Sequence, residues 1–500
     1  MFAFFEHPRL RGGVHTEERK QHTSRIPINT AFPTPKKLYI PVQQHVGKPA
    51  EPLVKVGESV LKGQLLAYSQ GAISAPVHAP TSGVIADVRD FPAPHPSALP
   101  VRTIILESDG LDAWEELHPP ADPFALEPEE ICLRVGAAGV VGLGGAVFPS
   151  AVKLNLGRKN QIRTLLINGG ECEPYLTCDD RMMQERAAEI IDGVRLMLRG
   201  MLAERAIIGI EDNKPEAIRA MRAASLEYSF ISVETVPARY PMGWDRQMLR
   251  YLTGQEIPAD ARATDIGVVV HNVSTAYAVY QAVTHAKPLI SRVITVSGAA
   301  VGKPQNVEAP IGTLMSEILA FCDTDSRKTA RIVMGGPMMG DALPHAETPV
   351  VKACNGILAL TEAEIDPKPV QACIRCSACV TVCPAGLLPL EMANRIRVNQ
   401  LDSAVDIGLK DCISCGSCSY ACPSNIPLTH YFKFALGELV KRQQAEHKSE
   451  QTKRLMDERN QRLERIRLEA EAEAQRAQEA RAARLAAQKA AAAAKQETTV

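Results

Sequence analysis

The sequence predicts a multidomain α/β protein that ends in a cysteine-rich helical module and a charged tail. Three observations indicate this fold class. Short apolar runs broken by Gly and Pro fill residues 38–110, strand-like and helix-like segments alternate over 127–260, and eight of the thirteen cysteines fall within 366–432. Because a single core rarely grows beyond about 300 residues, we expect a chain of 500 residues to divide into several domains.

Composition excludes several classes of protein. Lys and Arg total 56 against 57 Asp and Glu, a formal charge of -1 at pH 7, so no global positive charge favours nucleic acid. The sequence has no run of about 20 apolar residues, which a transmembrane helix requires, and we do not expect its start to act as a secretory signal. We therefore expect a soluble or peripheral protein with no transmembrane span and no nucleic-acid partner.

A small β domain is predicted over 38–110. VKVGESVLKGQ and APVHAPTSGVI form two quasi-repeats there, and they resemble the halves of the barrel-sandwich domains that carry lipoate or biotin. A carrier domain needs a modifiable lysine between its halves, and no lysine lies between Lys62 and Lys153. We therefore expect an unmodified, structural barrel-sandwich domain.

Two further domains are predicted downstream. The strand-like segments IRTLLINGG, RAIIGIED and FISVETVPA alternate with amphipathic helical segments over 127–260, which favours a layered α/β domain with a parallel sheet. A second β-rich block, 265–340, contains RVITVSGAA and RIVMGGPMMG on either side of a helix-like segment. We expect this block to form a separate domain.

The two terminal segments each leave two interpretations open. In the amino-terminal segment, 1–37, the side chains of Phe2, Phe4 and Phe5 are expected either to contact a membrane partner or to anchor a strand. In the carboxyl-terminal tail, 438–500, Ala, Glu, Arg, Lys and Gln dominate and Gly and Pro are absent. This composition is typical of a solvated helix or a disordered tail.

The cysteines within 366–432 predict two iron–sulfur clusters. They form two runs of C-x2-C-x2-C-x3-C-P, the bacterial ferredoxin pattern, in which the fourth cysteine of each run ligates the other cluster. Disulfides are disfavoured in a reducing compartment, and structural zinc requires neither the third cysteine nor the proline. One 4Fe-4S cluster is assigned to Cys373, Cys376, Cys379 and Cys422. The other is assigned to Cys412, Cys415, Cys418 and Cys383.

Three loops of the α/β region carry residue types that bind cofactors. GLGGAVFPS, at 142–150, precedes a helix-compatible segment, and its glycines allow close approach to a phosphate. The strand-like TLLI opens into a loop with Asn168, Glu171 and Glu173, where open α/β sheets bind ligands. HNVST ends another apolar run, and its Asn272 is either a ligand-binding residue or a helix cap.

These loops resemble those of a known flavoprotein family. GLGGAVFPSAVK is similar to the GRGGAGFPTGxK loop of the flavin-binding, NADH-oxidising subunit of respiratory complex I, LLINGGECEP is similar to its VVNxDESEPG, and HNVST to its NNVET. With a barrel-sandwich domain before them and a two-cluster module after them, the order resembles the C subunit of the Rnf, or Rsx, ion-translocating electron transport complex over roughly residues 1–435. The block 265–340 then resembles the small β-grasp domain of both families.

The resemblance implies an FMN site and a neighbouring NADH site. Phe148 and Glu173 would act as catalytic residues on the nicotinamide side. In this sequence Leu143 replaces an Arg of the complex I loop, Gly170 replaces an acidic residue, and residues 177–179 replace a stretch that includes a Lys. Because the lost Arg and Lys would bind dinucleotide phosphates, FMN is favoured over NADH at this site. The residues that would line the FMN are Gly142, Gly144, Gly145, Lys153, Asn168, Glu171, Asn272 and Thr275.

The resemblance also implies a function. We expect a peripheral electron-input subunit on the cytoplasmic face of the bacterial inner membrane, in a complex that couples electron transfer between NADH and ferredoxin to ion translocation. Electrons would pass from NADH to FMN and then singly through both clusters to an iron–sulfur subunit. The alternative is a flavin-less, two-cluster adaptor that docks a soluble redox partner. Cys172 and Cys178 are either core cysteines or residues that tune the flavin.

Overall fold

The computed structural model describes residues 10–160, 162–258, 261–365 and 368–497. Phe2, Phe4 and Phe5, for which a membrane contact or an anchoring role is predicted, lie outside these ranges. Across the described ranges, no helix combines the length and the apolar character that crossing a membrane requires.

The amino-terminal β domain is built from two sheets around one core. Its strands are β1 (Lys37–Pro41), β2 (Glu51–Pro52), β3 (Ser59–Val60), β4 (Leu65–Tyr68), β5 (Val77–His78), β6 (Gly83–Pro92) and β7 (Pro100–Ser108). One sheet has the order β1-β7-β6-β3 and the other the order β2-β4-β5. Leu38 and Leu106 of the first sheet share a buried core with Leu66 and Val77 of the second, so the two sheets pack face to face as a sandwich.

The α/β domain follows. Its elements are α1 (Pro128–Ala137), α2 (Ser150–Lys159), β8 (Thr164–Gly169), α3 (Cys178–Glu185), α4 (Ala187–Met201), β9 (Arg205–Glu211), α5 (Pro215–Ser225), β10 (Ile231–Val236), α6 (Asp245–Thr253), β11 (Val268–Asn272) and α7 (Val273–Thr284). The strands are parallel, in the order β10-β9-β8-β11. Leu165 and Ile167 face one buried cluster and Leu166 faces another. Both faces of the sheet are therefore covered, which explains its continuous apolar runs.

The observed boundary of this domain differs from the predicted range 127–260. β11 pairs in register with β8, from Val268 opposite Thr164 to Asn272 opposite Asn168, so β11 and α7 belong to the α/β layer. The predicted range 265–340 includes β11 and α7, although the HNVST loop at the end of β11 is grouped with the other loops of the α/β region.

The next domain is a mixed sheet with one helix against it. Its elements are β12 (Ser291–Ser297), β13 (Gln305–Pro310), α8 (Met315–Phe321), β14 (Arg331–Met334), β15 (Asp341–Leu343) and β16 (Gly356–Leu360). The strand order is β13-β12-β16-β14-β15. The observed domain therefore starts later and ends later than the predicted 265–340, because the fully buried β16 lies between β12 and β14.

The cysteine-rich module is helical. After α9 (Glu362–Ile365), its helices are α10 (Ala378–Thr381), α11 (Pro389–Arg397), α12 (Leu401–Asp406), α13 (Ser417–Tyr420) and α14 (Leu428–Glu497). Met392 of α11 and Phe432 of α14 lie in its core. From about residue 440 onward the side chains of α14 are almost all exposed through residue 492, so the tail continues as a solvated helix.

One buried lysine joins three domains. Lys352, on the segment before β16, is only 1% exposed. Its Nζ donates to the carbonyl oxygens of Pro76 at 3.0 Å and Gly139 at 2.7 Å, and its backbone N–H donates to the side chain of Gln44. Burial lowers the pKa of Lys352 to about 7, because a charged amine loses its hydration there.

This burial predicts a pH-dependent stability. Between about pH 7 and the ordinary lysine pKa of about 10.4, the unfolded chain binds a proton on Lys352 that the folded chain does not, so the free energy of unfolding rises with pH. We expect Lys352→Met to remove that rise. The difference in Tm, wild type minus variant, should therefore grow from about pH 6.5 to about pH 9 in calorimetry.

The matched control is Lys303→Met, whose lysine is 68% exposed beside Asp323 and should leave the pH profile unchanged. A Tm difference for Lys352→Met that stays constant over the same pH range would mean that Lys352 carries the same charge in both states.

Candidate functional site

The predicted cofactor loops meet at the carboxyl ends of β8 and β11. β9 and β10 extend the sheet on one side of β8, whereas β11 lies on the other side, so the strand order reverses between β8 and β11. Ligands of open α/β sheets bind at such a reversal. Asn168 and Asn272, both predicted site residues, lie directly opposite each other at the carboxyl ends of these strands.

The glycine-rich loop forms an open turn above this edge. The Gly142 N–H donates to the Phe148 carbonyl at 2.8 Å and the Val147 N–H to the Gly142 carbonyl at 3.1 Å. Gly145 has a φ of +104°, and a Cβ there would meet no atom within 4 Å. The loop is therefore closed by its own backbone, and the space in front of Gly145 is free for a ligand.

Two contacts fix this loop against the start of α7. The Leu143 N–H donates to the Thr275 hydroxyl at 2.9 Å. A Cβ on Gly144 would lie 3.2 Å from the Cβ of Asn272, so a side chain at this position would crowd Asn272. The structure thus brings together four of the predicted FMN-lining residues: Gly142, Gly144, Asn272 and Thr275.

Asn272 is a helix cap and also part of a polar network. Its Oδ1 accepts from the Ser274 N–H at 2.8 Å, which caps α7. Its Nδ2 donates to Asp179 at 2.6 Å, and the Ser274 hydroxyl donates to the other Asp179 oxygen at 2.5 Å. Asp179 therefore fixes the orientation of the amide. Sequence reasoning missed this role, because nothing local links Asp179 to residues almost a hundred positions away.

Lys153 and Asn168 point toward the same edge. The Lys153 Nζ donates to the Val270 carbonyl at 3.0 Å, and burial lowers the pKa of Lys153 while Asp245 raises it. The Asn168 Nδ2 donates to the Gly243 carbonyl at 2.8 Å, and its Oδ1 accepts from the Gly170 N–H. Both side chains are thus held in place by backbone groups, as a preformed ligand site requires.

Glu171 is turned into the protein. Its carboxylate accepts from the N–H groups of Asp179 at 3.0 Å and Asp180 at 3.2 Å at the start of α3, where a negative charge is favourable. Burial, with a smaller effect from Asp179, raises the pKa of Glu171 to about 7. The Nζ atoms of Lys20 and Lys214 both lie against the Glu171 carbonyl oxygen. This buried pair of lysines was not predicted.

Glu173 connects the loop to the mixed sheet. Its carboxylate accepts from the N–H groups of Met338 at 3.0 Å and Met339 at 2.7 Å. Burial raises the pKa of Glu173 to about 7, although these two hydrogen bonds lower it. A Cβ on Gly336 would overlap Glu173 Oε2, so only glycine fits there. No hydrogen bond of the described chain joins Glu173 to Phe148, the other predicted catalytic residue.

The cysteine-rich module packs beside Glu173. The Tyr240 hydroxyl donates to the Cys415 carbonyl at 2.6 Å, and Tyr240, Cys415, Cys172 and Met338 share one apolar cluster. The Gly243 N–H donates to Cys172 Sγ at 3.3 Å, and burial raises the pKa of that thiol. Cys172 therefore lies at the junction of the two domains as a neutral thiol.

Four cysteines line one small cavity in the module. They are Cys383, Cys412, Cys415 and Cys418, which we call the inner set. Burial raises the pKa of Cys412 to about 11 and that of Cys418 to about 12, so thiolates here need a cation. No three metal-binding side chains in the described ranges converge on a single ion. One cysteine of the first run and three of the second line this cavity together, so these residues fit the predicted crossed ligation, in which the fourth cysteine of each run binds the other cluster.

The remaining cysteines form the outer set: Cys373, Cys376, Cys379 and Cys422. Cys373 and Cys376 are exposed and the other two half-buried. The Gln371 N–H donates to the Ser424 carbonyl at 2.9 Å, and the Ser424 hydroxyl donates to the Ala372 carbonyl at 2.9 Å. These bonds hold the start of the first cysteine run beside the end of the second, as crossed ligation requires.

A positively charged cleft lies between α6 and the inner set. It has a volume of about 290 Å³ and is lined by Trp244, Arg250, Lys410 and Cys412, together with Arg11. Glu256 pairs with Arg11 at 3.4 Å and with Arg250 at 3.9 Å. Sequence reasoning did not group these residues, because the cleft is formed by segments from three separate parts of the chain.

Three family models match separate parts of the chain. They are described as the RnfC barrel sandwich hybrid domain over residues 8–111, the Nuo51 FMN-binding domain over 135–281 and a 4Fe-4S dicluster domain over 372–426. The predicted barrel-sandwich, flavin and two-cluster domain types are confirmed. The β-grasp assignment stays a prediction.

Curated relatives carry the same name in several bacteria. The chain is 49% identical over 440 residues to the C subunit of the ion-translocating oxidoreductase complex of Rhodobacter capsulatus, covering 88% of this chain and 84% of that one. The chain belongs to this RnfC family. The family member from Pseudomonas aeruginosa is 43% identical over 455 residues, which cover 91% of this chain and 58% of the relative.

A solved structure aligns with part of this RnfC family member. The NAD+-reducing [NiFe]-hydrogenase in its air-oxidized state aligns with a TM-score of 0.44 and 20% sequence identity, over 56% of this chain and 55% of the hydrogenase chain.

The two cysteine sets predict a non-additive loss of iron. If the ligation is crossed, Cys383→Ala and Cys418→Ala each remove the same cluster, so the iron content should fall from about eight to about four per chain in either variant and in their double variant. Combining Cys418→Ala with Cys422→Ala should remove nearly all iron. Chemical iron determination on anaerobically purified protein measures this, and Cys354→Ala, at a buried cysteine outside both runs, is the control.

The opposite pattern would contradict the assignment. Suppose that the double variant of Cys383 and Cys379 lost no more iron than either single variant, whereas the double variant of Cys383 and Cys418 lost nearly all iron. Each run would then hold its own cluster.

Proposed function

We propose that this chain is the electron-input subunit of its complex, receiving electrons from NADH through FMN and passing them through the inner and then the outer cluster. The observation that carries this order is the contact between the loop after β8 and the inner cysteine set. Cys415 accepts a hydrogen bond from Tyr240 and shares an apolar cluster with Cys172.

The edge between β8 and β11 fits FMN. Exposed backbone at Gly144 and Gly145 offers N–H groups in front of α2 and α7, and Lys153 adds a positive charge for a phosphate. Bound FMN would accept two electrons as a hydride and release them one at a time. The residues proposed to hold it are Gly142, Gly144, Gly145, Lys153, Asn168, Glu171, Asn272 and Thr275, with Glu171 acting through the start of α3.

A dinucleotide needs further cations, which the glycine-rich loop lacks because Leu143 replaces the Arg of complex I. The cleft lined by Arg250 and Lys410 supplies these positive side chains. The cleft also adjoins the flavin edge, because its residue Trp244 directly precedes Asp245, whose charge raises the pKa of Lys153. We therefore assign the NADH phosphates to this cleft, and the nicotinamide side to Glu173 and Phe148.

The outer set forms the proposed exit. Cys373 and Cys376 are exposed, and Val370, Ile374 and Tyr420 beside them are 60%, 69% and 54% exposed. Large apolar side chains that stay exposed so close in sequence to the cluster cysteines favour a protein interface at this end of the module. We propose that an iron–sulfur subunit docks here, with this chain peripheral on the cytoplasmic face of the inner membrane. Ferredoxin exchange would then occur elsewhere in the complex.

Anaerobic titration with NADH tests this function. Purified protein should contain about one FMN and about eight irons per chain, and NADH should bleach the flavin and iron–sulfur absorbance together. A protein that holds iron, takes up no FMN on reconstitution and does not respond to NADH would be the flavin-less adaptor instead.

Lys153→Met tests FMN binding independently of the iron–sulfur clusters. Loss of one charge-assisted contact of about 1.5–3 kcal/mol should weaken FMN binding roughly 10- to 150-fold, measured by quenching of FMN fluorescence on the deflavinated protein. The iron content should not change. Lys303→Met is the surface control, and equal FMN affinities in the two variants would remove Lys153 from the site.

A further inference from the structure

A large cavity lies where three domains meet. It is separate from the edge between β8 and β11 at which FMN is proposed to bind. Its volume is about 390 Å³, within the range of small-molecule sites. Lys62 and Trp114 line it from the β-sandwich side, Arg186 and Tyr277 from the α/β domain, and Arg292 from β12. It shares only Leu143 and Ser274 with the loops of the flavin site, so it lies behind the glycine-rich loop.

Two guanidinium groups in this cavity lack full partners. Arg292 is only 4% exposed and donates to the carbonyl oxygens of Cys354 and Leu143, but no carboxylate in the described ranges pairs with it. Arg186 pairs with Glu308 at 2.5 Å through Nη2, whereas its buried Nη1 has no hydrogen-bond partner among the described residues. Buried charges are normally paired, so the Arg292 guanidinium, which has no carboxylate partner among the described residues, indicates a missing anion in this cavity.

The side chains that line the cavity carry a net positive charge. Lys62, Arg186, Lys287 and Arg292 oppose Asp112 and Glu308 among its lining residues, a surplus of two positive charges. Asp112 and Glu308 hold the Lys62 and Arg186 side chains in place and leave Lys287 without a carboxylate in the described part of the chain. A ligand that balances this surplus is an anion.

The remaining wall is aromatic and apolar. Lys62 and Lys287 lie 5.0 Å and 5.7 Å from the centre of the Trp114 ring, and the Arg186 guanidinium lies 4.8 Å from the centre of the Tyr277 ring. Phe32 and Met182 complete the apolar surface. Such a wall takes the planar or apolar body of an organic molecule, whereas a bare inorganic anion would leave it uncovered.

We propose that this cavity is a binding site for a small organic anion, with a carboxylate or phosphate held by Arg186 and Arg292 and an aromatic body against Trp114 and Tyr277. The site is separate from the proposed function and does not depend on it.

Calorimetric titration of the full-length, cofactor-loaded chain tests the site with phenyl phosphate and phenylacetate as probes. We expect at least one of them to bind at least tenfold more tightly than the neutral analogue phenylacetamide and than inorganic phosphate. Arg186→Gln and Lys287→Gln should each weaken that binding at least fivefold. Arg219→Gln, whose guanidinium is exposed on α5 beside Glu216, should leave it unchanged.

A further variant keeps the test valid if the charge variants fail to fold. Gln281→Trp places a large side chain in the cavity without removing a charge, and it should abolish probe binding while the FMN and iron contents stay at wild-type levels. Absence of binding by both anionic probes, equal binding of phenylacetamide, or binding that survives in Gln281→Trp would each overturn the proposal.

Discussion

The pairing of β11 against β8 is the constraint on which the site depends. Because β11 is added on the side of β8 opposite to β9, the ends of β8 and β11 have no crossover helix between them and form an open edge. The register puts Asn168 opposite Asn272 there. The glycine-rich loop is attached to this edge by the hydrogen bond from Leu143 to Thr275, and the Lys153 side chain of α2 donates to the Val270 carbonyl of β11.

Buried polar groups connect this edge to its surroundings. Lys20 and Lys214 hold the backbone of Glu171, Asp179 holds Asn272, and Glu173 holds the turn at Met338. Each interaction joins the loops of the flavin domain to a distant part of the chain. Leaving one partner of a buried polar pair unsatisfied costs about 1–3 kcal/mol. The bonds from Glu173 to Met338 and from Tyr240 to Cys415 cross between domains, so they favour the placement that sets the inner cysteines next to the loop after β8.

The sequence was most informative where chemistry is local. Cysteine spacing alone grouped Cys383 with the second run, and the structure places it in the same cavity as Cys412 and Cys418. The three cofactor loops were also found locally, because each follows an apolar run. Asn272 shows the limit of such reasoning, since one side chain both caps a helix and joins a polar network, and the pattern could not choose between these roles.

Long-range partners could not be predicted in this way. Asp179, Tyr240 and Gly336 act on residues far away in the chain, and Lys352 becomes buried only because three domains meet around it. The two domain boundaries after residue 260 differ for the same reason. Membership of β11 and β16 in their sheets depends on pairing with distant strands, which periodicity does not encode.

The most direct test of the account is whether the inner cluster relays electrons to the outer one. Under anaerobic conditions, NADH would be mixed with a Cys418→Ala variant that retains FMN and the outer cluster, and the reduced clusters would be followed by electron paramagnetic resonance. If electrons pass from the inner to the outer cluster, the flavin will be reduced in Cys418→Ala while the outer cluster stays oxidised, and a Cys373→Ala variant will still reduce its inner cluster. Reduction of the outer cluster at the wild-type rate in Cys418→Ala would contradict the proposed order.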